Sequence, residues 1–100
     1  MKLWVDDVRP APNKEYFWSK SVYDAAIAIE EAEFLKIPIE LIDLDHDAGE
    51  YESQGGDYIK LLDWLEETSR NYPIRIHSMN PVGVENMRRI IQRNGWTEVR

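Results

Sequence analysis

Ile42-Asp43-Leu44-Asp45-His46-Asp47-Ala48-Gly49 runs from an apolar strand directly into a knot of titratable groups. Three carboxylates and an imidazole fall within five positions, 43 to 47. Like charges that close raise one another's pKa, so a cationic partner is expected there. A metal ion or phosphate chemistry meets that need. Leu3-Trp4-Val5 ends in Asp6-Asp7, and Ile74-Arg75-Ile76 ends in His77-Ser78, so three strand-like runs share this pattern. As neighbouring strands they would bring their ends to one pocket.

Outward from that stretch, Lys2 to Val5 reads as a buried strand. Asp6 to Asn13 is a loop, because Pro10 and Pro12 remove donors and fix φ. Tyr16 to Lys20 suits a second strand, and Ser21-Val22-Tyr23-Asp24 matches a capping box in which Asp24 reaches back. The helix it opens places Val22, Ala25, Ala26, Ile29, Ala32 and Leu35 on one apolar stripe, with Glu30, Glu31 and Glu33 largely opposite. Pro38 precedes a third strand over about Glu40 to Asp45. After a polar loop with Gly49 and Gly55-Gly56, Tyr58, Leu61, Leu62 and Leu65 mark a second helix. Pro73 closes it and introduces a strand from Ile74 to His77. Asn80 as cap and Pro81 at the first helical position start a third helix, with Val84, Met87 and Ile91 buried and Asn94-Gly95 as its stop. Trp96 to Val99 reads as a last strand. Strands alternating with helices predict an α/β fold with right-handed crossovers and a mostly parallel sheet. Ligands bind such sheets outside the carboxyl ends of the strands, where these acids and imidazoles fall.

Composition narrows the function classes. One hundred residues suit a single domain over 1–100, and 43% hydrophobic residues with four Trp and five Tyr predict an aromatic-rich core. A formal charge of −7 repels polyanions, so extended nucleic acid is not an expected partner, although a metal-bridged phosphate can enter an acidic pocket. The lack of cysteine excludes disulfides and thiol ligands. With neither a signal-like apolar run nor a stretch of transmembrane length, the expectation is a soluble cytoplasmic protein without membrane contact. Oligomeric state is not legible.

An acidic pair after the first strand, an aspartate ending the third and a hydroxyl residue ending the fourth resemble the receiver domain of bacterial response regulators, here Asp6-Asp7, Asp45 and Ser78. That resemblance implies a receiver or flavodoxin-like three-layer sandwich of about five mostly parallel strands and about three helices. It implies Mg²⁺ at the acids and Asp45 at the phosphoacceptor position. Receivers carry a lysine after the fifth strand, where this chain has Glu98-Val99-Arg100, and a helix between the first two strands, where it has Arg9-Pro10-Ala11-Pro12. The segments Val5-Asp6-Asp7-Val8-Arg9-Pro10-Ala11-Pro12, Leu44-Asp45-His46-Asp47 and His77-Ser78-Met79-Asn80-Pro81-Val82-Gly83 look more like the cyclic-phosphate processing receiver domains. Action on a cyclic phosphate is what that resemblance implies.

Chemistry assigns candidate roles. Asp6, Asp7 and Asp45 offer the oxygen ligands that Mg²⁺ or Mn²⁺ takes, against a plain reading as strand-end acids. Asp47 suits a ligand, a partner for His46 or a turn residue, and Asp43, alternating with Ile42 and Leu44, is expected to point elsewhere. His46 and His77 are candidate general base and acid. Arg9 is a candidate bidentate phosphate contact; Ser78 can donate to a phosphoryl oxygen or bond local backbone; Asn80 caps a helix whose free N–H groups suit phosphate. Trp4, Trp18, Trp64 and Trp96 are expected in the core. Three functions follow: metal-dependent binding or hydrolysis of a cyclic phosphate, phosphoacceptor signalling through Asp45, or an interaction module without metal.

Overall fold

The computed structural model describes residues 1–100. The chain forms β1 (Lys2–Val5), β2 (Tyr16–Ser19), α1 (Val22–Phe34), β3 (Leu41–Leu44), a short 3-10 turn at Gly49–Tyr51, α2 (Ile59–Glu67), β4 (Ile74–Ile76) and α3 (Pro81–Asn94). All strand pairs are parallel, in the order β2-β1-β3-β4. This is the α/β receiver-like arrangement, with four strands rather than the expected five. Of the expected last strand only a single bridge forms, Ile74 to Glu98, because pairing stops at the residues flanking Ile74. The Glu98 side chain forms ion pairs with Arg88 (2.9 Å) and Arg100 (3.4 Å).

The register explains which residues meet. Lys2, Leu3, Trp4 and Val5 lie beside Leu41, Ile42, Asp43 and Leu44, and Leu44 lies beside Ile76. Side chains alternate across a strand, so Leu3, Val5, Ile42, Leu44 and Ile74 share one face, and all are fully buried. The helices add Val22, Ala25, Ile29, Leu61, Leu62, Leu65, Met87 and Ile91 to the same cluster. Trp4 and Asp43 are buried on the opposite face, outside that cluster.

The layering follows from handedness. From β1 to β2 the chain steps one way along the sheet, and every later crossover steps the other way. Right-handed connections therefore place the first on one face and the rest on the other. Residues 6–15 make that first connection without a helix, and their Arg9 carbonyl accepts a hydrogen bond from Trp4 Nε1 at 2.8 Å. The three helices share the other face, α1 touching α2 and α2 touching α3. Two layers result, not the expected three.

Local signals place the helix ends. Ser21 Oγ accepts from the Asp24 N–H at 3.0 Å, but the Asp24 side chain is exposed and returns no bond, so the capping box is half formed. Asn80 caps α3 through Gly83 N–H at 3.0 Å, with Pro81 next to it. The buried stripe of α3 is Gly83, Met87, Ile90 and Ile91, and Val84 sits beside it, half-buried. Leu35 lies at the C-cap of α1 and is exposed, while Ala28 takes a core position. Trp96 joins the core, whereas Trp18 is exposed and Trp64 half-buried under the Arg70 guanidinium.

Ile42 sits in the middle of this core. Ile42→Ala is expected to cost roughly 2–5 kcal/mol in a urea titration, against less than about 0.5 kcal/mol for Phe34→Ala at an exposed α1 position.

Candidate functional site

The parallel ladder runs past the strand ends. Asp6 N–H bonds Ser19 O, Asp45 N–H bonds Val5 O and His77 N–H bonds Leu44 O, so residues 6, 45 and 77 stand abreast at the carboxyl edge. The carboxylates of Asp6, Asp7 and Asp45 bring ligand atoms within 4.8 Å of one another. Asp6 is wholly buried, and its Oδ1 accepts from the N–H groups of Val8 (3.0 Å) and Arg9 (2.8 Å). Asp45 Oδ1 accepts from the His46 N–H at 2.7 Å. Asp7 lies against Gly49, where a Cβ would stand 2.2 Å from Asp7 Oδ2, and the φ of +55° there also favours glycine.

The two imidazoles take different surroundings. His77 Nε2 lies 2.9 Å from Asp6 Oδ2, and its Nδ1 lies 2.6 Å from Asp43 Oδ1. The ring stacks on Trp4 at 3.8 Å with planes 4° apart. Both nitrogens are thus occupied, and the ring bridges a mid-strand carboxylate to a strand-end one. His46 sits on α3, where a Cβ on Gly83 would fall 2.5 Å from the imidazole. Its Nδ1 is 2.8 Å from Asp47 Oδ1 and 3.4 Å from Asn80 Nδ2; the shorter contact to an acceptor makes Nδ1 the donor. Nε2 is left without a hydrogen-bond partner in the protein.

Asp47 therefore groups with His46 and Asp57, not with Asp6, Asp7 and Asp45. Ser78 Oγ accepts locally from the Asn80 N–H at 3.1 Å. Arg9 contributes backbone to the site, while its side chain is exposed and makes no ion pair. Sequence reasoning set Asp43 aside and passed over Asp57 and Lys20. Asp43 is 1% exposed, and the signal for it was an acid in the middle of a strand whose neighbours are apolar. Asp57 looks like a helix-start acid in sequence, yet its Oδ1 accepts from the Ala48 N–H at 2.9 Å and ties the loop after β3.

Electrostatics sets the chemistry. Burial holds the Asp7 carboxyl above its ordinary range, and the charges of Asp6 and Asp45 push the same way. Burial also raises the Tyr58 hydroxyl, followed by Asp7, Asp6 and Asp45, so it remains a donor and gives its proton to Lys20 O at 2.7 Å. Beside the acids opens a cleft of ≈ 420 Å³ lined by Asp7, Val8, Lys20, Gly49, Glu50 and Tyr51. Two apolar grooves along α1 share no residue with it. An oxygen-rich edge of this kind suits a hard divalent cation, which keeps several waters for a phosphate to displace.

A raised folded pKa means that Asp7 favours folding below its unfolded pKa and that this contribution is lost as pH rises through the folded value. At pH 7 the ionised group therefore opposes folding. Asp7→Asn is expected to raise the melting temperature in chelator at pH 7 and to erase that gain near pH 3. Gly83→Ala is expected to cost about 1–3 kcal/mol and to shift the His46 ring resonances in NMR spectra.

A search of curated proteins and one of solved structures found no match. Among protein-family models, that of the cyclic-phosphate processing receiver domain matches residues 1–93. With its four-stranded parallel sheet and acids at the carboxyl edge, the chain belongs to the cyclic-phosphate processing receiver domain family.

Proposed function

We propose that the domain binds a divalent metal, Mg²⁺ or Mn²⁺, through Asp6, Asp7 and Asp45, and with it binds and opens a cyclic phosphate on a nucleotide or an RNA end. The observation that carries this reading is the convergence of those carboxylates within 4.8 Å at the edge that also holds His46. Their all-oxygen donor set fits a hard cation. When bound, such an ion polarises the phosphoryl group and stabilises charge on its oxygens.

The chain's own groups supply the rest. Asp47 holds His46 Nδ1–H and leaves Nε2 as the acceptor, so His46 takes a proton from an attacking water and returns it to the leaving ester oxygen. One P–O bond forms as another breaks, and the product is a monoester. His77 serves as a positioning residue, because Asp43 and Asp6 hold both its nitrogens. Its N–H orients Asp6, as outer-shell partners orient metal ligands. Asn80 sets the first turn of α3, which supports the His46 ring.

Turnover of 2′,3′-cyclic AMP with Mg²⁺ or Mn²⁺ tests the reading. His46→Ala is expected to lower the rate ~100-fold or more. His77→Ala is expected to weaken metal affinity ~10–100-fold, with much of the rate recovered at saturating metal. Parent-level activity in His46→Ala would remove the proton-transfer role. Absence of any metal-dependent turnover, together with stable labelling of Asp45 by a small phosphodonor, would replace hydrolysis with phosphoacceptor signalling.

A further inference from the structure

We infer that Lys20, at the end of β2, is the cation that receives the phosphoryl group of the ligand, in the place expected for Arg9. The inference rests on the metal and phosphate reading above. Three carboxylates outweigh a divalent ion by one negative charge, and an anionic phosphate adds another. A protein cation at the cleft is needed to hold such a ligand.

The structure narrows the choice. Arg9, Lys14, Lys20 and Lys36 are the basic side chains outside the salt bridges. Of these, Lys20 alone lines the cleft beside Asp7. Its backbone is fixed on both sides and at its carbonyl. Ser19 and Ser21 are buried neighbours, Ser21 caps α1, and the Tyr58 hydroxyl bonds Lys20 O at 2.7 Å. The ammonium rests over the Trp18 ring, 4.6 Å from its centroid. A cation–π contact at an exposed indole is weaker than a charge-assisted bond to phosphate, so the ammonium can turn to a ligand at small cost. Trp18, 37% exposed where a core position was expected, gains a reason for its place: it holds the ammonium when the cleft is free.

The experiment titrates the full chain first with Mn²⁺ and then, at saturating Mn²⁺, with inorganic phosphate and with 2′,3′-cyclic AMP, reading heat and tryptophan fluorescence. Parent, Lys20→Met and Lys20→Arg are compared; methionine keeps much of the apolar stem without the charge. Lys20→Met is expected to bind Mn²⁺ like the parent, to bind both phosphates ~10-fold or more weakly and to lose the fluorescence change. Lys20→Arg is expected to stay within a few-fold of the parent. Parent-like phosphate affinity in Lys20→Met overturns the assignment of Lys20 alone. So does equal weakening in Lys20→Arg and Lys20→Met, which would show that charge is not the source. A parent that takes up neither Mn²⁺ nor phosphate overturns this inference and the functional reading together.

Discussion

The parallel hydrogen-bond ladder between β1, β3 and β4 is the constraint from which the rest follows. It sets Val5, Leu44 and Ile76 side by side. The next residue of each strand, Asp6, Asp45 and His77, must then emerge at one edge, and the backbone bonds Asp45 to Val5 and His77 to Leu44 hold them there. A one-residue slip of β3 would turn its side chains to the other face, burying Asp43 and Asp45 among Leu3, Val5 and Ile74 and exposing Ile42 and Leu44. The apolar face therefore fixes the site: the same burial that holds the core together fixes which carboxylates meet.

The one-sided arrangement of the helices gives the second face of the sheet a different use. With no helix across it, Trp4, Asp43 and His77 form a compact polar and aromatic layer of their own. Trp4 stacks on the imidazole, Tyr16 meets Trp4 edge-on at 5.7 Å, and the carbonyl of Arg9 closes over the indole N–H. Asp43 is costly to bury. It is stabilised by His77 on one oxygen, while the other has no hydrogen bond and sees only Arg75 at 3.9 Å. That chain of contacts carries a fixed orientation from mid-sheet to Asp6, and so ties the edge of the site to the rigid centre of the fold.

Carboxylates crowded at the edge work against stability. Asp7 resists ionisation because it is partly buried beside Asp6 and Asp45. Elsewhere the opposite logic holds. The Arg70 guanidinium, with the Tyr72 hydroxyl, keeps Glu33 below the ordinary carboxylate range, and Arg93 with Asn94 does the same for Glu66. Those pairs are met by protein partners. The edge acids meet no arginine or lysine: Asp7 and Asp45 form no ion pair, and the one such contact of Asp6 is to His77.

Much of this molecule is written locally in its sequence. Periodicity, Pro81 after Asn80, Ser21 before Val22 and the apolar runs gave the helices, the parallel strands and the ends where Asp6, Asp7, Asp45 and His77 lie, because those signals act over a few residues. What only the tertiary structure decided depends on segments far apart in the chain. Asp47 turns to His46 and Asp57; Asp43 turns inward to a histidine 34 positions away; the helices gather on one face; and Lys20 rather than Arg9 lines the cleft. Alternation tells which residues of a strand share a face, but a side chain's partner is settled by packing and handedness that no local pattern encodes.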